Sequence, residues 1–280
     1  MSEIPPASPT RAVKLESTET DPRFVAAYEV ATASEDAFEN TLREFGNLSI
    51  SGDRELESLR RISLYLGTLF GEAHAASTQL AFLEMPRAQY ILNRQLIEYF
   101  ARNRWFVEHG SEAAVELDLL PKTVYLEVQA NAAAFSDPAF VKQITDNYTA
   151  WARQNPALDS VKPNTPSPTK MVRLALDTAG DLFWYYGRPS IVVHGKSHGI
   201  QDVLDLRPDG TLERSPNSLG LNRVGEMHRA TGITLQYGFL LAINFDLDLS
   251  RWDAVHRQFD AVLRGEGVTP EQVKVKKYRS

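Results

Sequence analysis

Cysteine is absent from the 280 residues. Disulfides, thiol nucleophiles and cysteine-ligated zinc are excluded with it. A chain without disulfides fits a reducing compartment, and the expected location is cytoplasmic. The opening MSEIPPASPT has neither the basic n-region nor the apolar h-region of a secretory signal. Long hydrophobic runs are missing too. The most apolar stretch, residues 233–245, contains Thr234, Gln236 and Asn244. It is too short and too polar to span a bilayer, so no membrane partner is expected. Charge of one sign is not in large excess: 30 Lys and Arg face 36 Asp and Glu, a formal net charge of −6. That is an ordinary solubility charge with no global pull toward nucleic acid, which leaves room only for a local basic groove. The glycine-rich phosphate loops G-x-x-x-x-G-K-[ST] and G-x-G-x-x-G and the G-x-S-x-G nucleophile elbow are missing. No internal repeat is present.

What remains is an ordinary globular composition, 43% hydrophobic and 24% charged. A chain of this length buries roughly 75% of its unfolded surface and needs no staples. Residues 1–20, rich in Pro, Ser, Thr and Glu, read as a disordered tail. Asp21-Pro22 starts the first helix, since Asp caps well and Pro suits the first helical position. Its apolar face is Phe24, Ala27, Tyr28, Ala31, Phe38, Leu42 and Phe45, and Gly46-Asn47 ends it. The second helix, residues 53–85, carries one continuous stripe: Leu56, Leu59, Ile62, Leu66, Leu69, Phe70, Ala73, Ser77, Leu80 and Leu83. It would be about 50 Å long. Pro86 begins a third helix or kinks the second. The third, residues 86–109, is apolar on most sides and is expected to be buried on most sides, with Gly110 as its stop.

Residues 112–135 and 137–155 read as two more helices. The proline-rich residues 155–169 read as a surface connection. Helix resumes at Lys170 and passes the aromatic run 183–186. Residues 203–206 and 211–213 around Pro208-Asp209-Gly210 read as a small β-hairpin. Helices over 223–245 and 250–264 follow, then a solvated tail over 266–280. The expected fold is all-α, a bundle of about seven or eight helices with a β-hairpin insert, forming a single helical domain over 21–265.

One constellation stands above this background. Helix three places Arg94, Ile97, Glu98, Ala101 and Trp105 on one face. Two readings fit the charges: a structural Arg94–Glu98 bridge that fixes helix register, or a polar cavity faced by one or both. Later, Tyr186, Ser190 and His194 fall at i, i+4 and i+8, within about 80° on a continuous helix. A satisfied core histidine beside a hydroxyl is the plain alternative to a working stripe. His194 and His198 have a metal-ligand spacing, but Gly195 intervenes and no acidic partner pattern accompanies them, so no metal and no cofactor are expected. His74, His109, His228 and His256 read as scattered surface or core residues. The aromatic run 183–186 reads as core before it reads as a base-stacking platform.

The pair Arg94-Gln-Leu-Ile-Glu98 and Tyr186-x3-Ser190-x3-His194-Gly195 resembles a bacterial domain family of unknown function, related in helical layout to HEPN-type domains. The similarity covers about residues 55–265. The resemblance implies a helical bundle and, as in many HEPN domains, a metal-independent ribonuclease of a defence or toxin system. Its Arg-to-His signature would be carried by Arg188 and His194, with Glu98 as the acidic partner and Arg94 as a second guanidinium. Tyr186 and Ser190 would bind the phosphate. RNA and a second copy of the chain are the partners it implies. Pro189 stands where a polar residue usually follows the Arg, and on a straight helix Arg188 points about 120° away from His194, so a kink at Gly187-Arg188-Pro189 is required. A non-catalytic helical module binding a partner or small ligand through the same pocket is the alternative.

Overall fold

The computed structural model describes residues 11–14, 21–48, 52–134, 137–162, 165–176, 186–187, 189, 204–208, 212–214, 222–265 and 276–279. These residues are mainly helical, and the all-α expectation holds. Three long helices come first: α1 Pro22–Gly46, α2 Arg54–Phe82 and α3 Pro86–Glu108. Then follow α4 Gly110–Asp118, α5 Leu120–Ala130, α6 Pro138–Gln154, α7 Pro156–Asp159 and α8 Pro168–Ala175. The last two helices are α9 Arg223–Asn244 and α10 Ser250–Leu263. Four backbone segments pair as strands. Arg11–Lys14 (β1) runs antiparallel to Lys276–Arg279 (β4), and Leu204–Leu206 (β2) to Leu212–Arg214 (β3).

Local chemistry explains the boundaries. The Asp21 side chain accepts from the backbone N–H of Arg23 at 3.0 Å, and Asp53 from that of Leu56 at 3.0 Å. Asp137 caps α6 through Ala139 at 2.9 Å, and Asn222 caps α9 through Gly225 at 2.7 Å. Each satisfies an orphan donor of a first turn. Between α2 and α3, Glu84 takes a left-handed φ of 54° and Pro86 opens the next helix, so the proline starts α3 and does not kink α2.

The helix count is a correction. The described residues hold ten α-helices, more than the expected seven or eight. The sequence predicts one helix over 112–135, but α4 ends at Asp118 and α5 begins at Leu120. Pro121 has no N–H, and its ring crowds the carbonyl one turn back, so the ladder breaks there. The proline-rich connection also contains a single turn, α7, with proline in its first turn.

The chain falls into two compact units: residues 1–41, 70–97 and 183–280, and residues 42–69 and 98–182. In the first, Phe24, Ala27, Tyr28, Ala81 and Met227 form a buried cluster with Phe82 and Val224 packed against it. A second cluster joins α1, α2, α9 and α10. Phe38 and Phe70 have ring centroids 4.9 Å apart, Phe70 meets Tyr237 edge-on at 4.8 Å, and Phe38 meets Trp252 at 6.3 Å. The indole N–H of Trp252 donates to Thr41 Oγ1 at 3.0 Å, so this large ring is buried with its polar atom satisfied.

In the second unit, Phe45, Leu59, Ile62, Leu66, Phe100, Trp105, Phe106, Leu119, Met171 and Val172 form the interior. Arg102 donates to Glu116, whose other oxygen accepts from Thr165 at 2.8 Å. Lys122 donates to the carbonyls of Asp159 and Val161 and so ties the one-turn helix α7 to α5.

Candidate functional site

Arg94 sits in the middle of α3 with buried Asn93, Leu96 and Ile97 around it. It is 9% exposed, and Tyr186 is 7% exposed. Its guanidinium Nη2 donates to the Tyr186 hydroxyl at 3.4 Å, and its Cζ lies 4.9 Å from the centroid of the same ring. A guanidinium keeps its proton in any environment a protein offers. The aromatic face supplies part of the stabilisation that lost water would have given. The structure thus brings together one residue from each of the two sequence segments, both within the first unit.

The other expected site residues stand differently. Glu98 is half-buried one turn along α3 and belongs to the second unit. Arg188, Ser190 and His194 lie outside the described residues, as does His198. Among the described residues, no three His, Asp or Glu side chains gather as metal ligands would. No described helix is long and apolar enough to cross a membrane.

A buried polar chain runs beside Arg94, and sequence reasoning did not find it. The Ser77 hydroxyl on α2 donates to Asn93 Oδ1 at 3.0 Å. Asn93 Nδ2 donates to the Glu226 carbonyl at 3.0 Å and to its carboxylate Oε2 at 2.9 Å. Arg229 pairs with the same carboxylate at 3.0 Å and lies over the Tyr90 ring at 5.3 Å. Ser77 and Asn93 are at most 1% exposed, and Glu226 and Tyr90 are 2% exposed. Burial pushes the Glu226 carboxyl up, while the Arg229 charge and the Asn93 hydrogen bond pull it back down.

Two turns back along α2 from Ser77, Phe70 meets Tyr237, which is three turns on from Glu226 along α9. The two helices therefore run antiparallel, and His74 and Thr231 fall in the layer between. His74 is 1% exposed, stacks on Phe70 with centroids 6.5 Å apart, and has no hydrogen-bond partner for Nε2. Burial pulls its pKa down to about 4, so the ring is neutral at pH 7. Thr231 Oγ1 and both amide atoms of Gln89 are likewise buried without hydrogen-bond partners among the described residues.

No family model, curated protein or solved structure matches the chain. The site is therefore argued from its own geometry. Arg94 is a permanent cation on an aromatic face, and the neighbouring buried chain holds that stretch of α3 in place. The missed signal was a polar residue inside an apolar stripe. Ser77 interrupts the α2 stripe, Asn93 sits among apolar neighbours, and Glu226 heads the apolar helix α9.

Proposed function

We propose that Arg94 and Tyr186 belong to the working site of a HEPN-type, metal-independent ribonuclease in which His194 moves the proton. The Arg94–Tyr186 contact supports this reading, because it joins side chains 92 residues apart, one from each segment of the motif pair. In the reaction, the neutral imidazole of His194 takes the proton of an RNA 2′-hydroxyl. The 2′-oxygen bonds to phosphorus as the P–O5′ bond breaks, which leaves a 2′,3′-cyclic phosphate. The imidazolium returns its proton to the departing 5′-oxygen. Arg188 and Arg94 would balance the charge on the phosphoryl oxygens through planar donors. Tyr186 and Ser190 would place the phosphate. A second copy of the chain would complete the site, as the resemblance implies.

The same contact supports a second reading. Arg94 and Tyr186 are nearly enclosed, and the net charge of −6 draws no polyanion from a distance. A helical module that binds a small anionic ligand or a partner through this face fits both facts without catalysis. Incubation of the purified chain with total RNA in chelator separates the readings. The ribonuclease reading expects fragments with cyclic phosphate ends from wild type and none from His194→Ala of unchanged circular dichroism. Equal cleavage by that variant removes His194 from the reaction. Absence of cleavage by wild type leaves the binding module.

A further inference from the structure

The polar chain beside Arg94 is dearly placed. Breaking one link would leave a buried donor or acceptor unpaired, at the full cost of its lost water. An apolar set of the same volume would hold α3 against α9 as well or better. What hydrogen bonds add is direction. Asn93 is committed on both sides: Oδ1 accepts from Ser77, and Nδ2 donates twice to Glu226. Tyr90 lies one turn ahead of Asn93 on α3 and receives Arg229, which also pairs with Glu226. The helix is gripped at two points on adjoining faces, and it can satisfy both at only one rotation about its axis.

Arg94 is the next residue after Asn93, so its direction follows from that rotation. A guanidinium carried about 8 Å from the helix axis sweeps roughly 3 Å when the helix turns by about 20°. That would break a 3.4 Å contact to the Tyr186 hydroxyl. We propose that Ser77, Asn93, Glu226, Arg229 and Tyr90 form a positioning clamp that sets the rotation of α3 and aims Arg94 at Tyr186. The proposal rests on the reading of the Arg94–Tyr186 face as the working site. None of the five residues need touch a ligand; each acts through Arg94.

The test uses the full chain with 3-fluorotyrosine in place of Tyr186 alone. Its fluorine resonance reports the guanidinium beside the ring, and Arg94→Gln fixes the resonance position when that cation is gone. Glu226→Leu and Asn93→Leu, if folded by near-ultraviolet circular dichroism, should move the resonance to the Arg94→Gln position. Glu226→Gln, which can still accept from Asn93, should keep it near wild type. Ser77→Ala removes one hydroxyl from the chain and gives a folded variant if the leucine variants collapse; it should shift the resonance part of the way. If wild type cleaves RNA, Glu226→Leu should lower kcat about a hundredfold while KM changes by less than about twofold. A fluorine resonance that stays at its wild-type position in every folded variant overturns the clamp. Wild type that leaves RNA intact defeats the ribonuclease reading, and the fluorine measurement still decides the clamp.

Discussion

Helices α9 and α6 differ less in length, 22 and 17 residues, than in what they bury. Helix α9 buries Glu226, Met227, Thr231, Thr234, Tyr237, Gly238 and Leu241 among others, while α6 buries no residue. The first is fixed from several sides by rings and hydrogen bonds. The second is held along one stripe: Tyr148 stacks on Tyr125 with centroids 4.1 Å apart and donates to Asp159 at 2.8 Å. A helix inside a close-packed interior moves only with its neighbours, whereas an edge-held helix can open alone. The polar chemistry of the first unit lies beside α9, where position is most constrained.

The largest expected effect is at Gly238. A Cβ there would sit 2.0, 2.2 and 2.3 Å from three ring carbons of Trp252. That indole is fully buried and anchored to Thr41, so no flexible end can move aside. Gly238→Ala should destabilise by about 3 kcal/mol or more. Gly67, in the second unit, makes the contrast. A Cβ there meets Leu42 Cδ2 at 2.5 Å, the far end of a half-buried, flexible side chain. Leu42 can change rotamer, and alanine gains about 1 kcal/mol of helix propensity. Gly67→Ala should therefore stay within about 1 kcal/mol of wild type. Urea denaturation of both variants checks the pair, and equal losses would break the contrast.

The next effect is one of pH. His74 is neutral in the fold, with its pKa lowered to about 4 from 6.5. Below pH 6.5 the unfolded chain takes up a proton that the folded chain refuses, so this contribution to stability falls as pH drops toward 4. Glu35 on α1 acts the other way. Burial first, then Asp36 and Glu39, raise its carboxyl to about 7, so its contribution falls as pH rises from 4.5 to 7. The bare pH profile therefore mixes two opposed slopes, and a variant must isolate one. Relative to His74→Leu, which keeps Glu35, wild type should lose about 2 kcal/mol between pH 6.5 and pH 4.5. Parallel profiles for the two proteins would show that the imidazole is hydrated in the fold.

Much of this fold is legible in the chain because period and caps agree. The α2 stripe follows from apolar spacing and the Asp21-Pro22 start from a cap residue, and the ranges of α9 and α10 lie within a residue of those read from the sequence. The break at Leu119 was hidden because the apolar pattern continues across it while Pro121 interrupts only the hydrogen-bond ladder. Helical spacing marked Arg94 and Tyr186 each within its own segment, but their contact is a property of the fold. The Ser77–Asn93–Glu226 chain was not marked, because periodicity counts a buried serine or asparagine as noise in a stripe. Partners so far apart in sequence carry no local signal; Asn93 and Glu226 are 133 residues apart. His74 shows the same limit. The sequence leaves it as a surface or core residue, and its burial without a partner for Nε2 is a property of the neighbouring helices.

The smallest effect sharpens the opening contrast. Phe140, at the start of α6, is 39% exposed, and Phe140→Ala should shift stability by less than about 0.5 kcal/mol. The informative reading is where the shift appears. Under weakly denaturing conditions, amides of α6 should exchange through local opening, at a lower free energy than amides of α9, which await a larger unfolding event. Phe140→Ala should then speed exchange within α6 and leave α9 unchanged. Matching protection in the two helices would mean that the Tyr125–Tyr148 stack and the Asp159 hydrogen bond hold α6 as firmly as burial holds α9. Stability along this chain would then follow hydrogen bonds more than enclosed area.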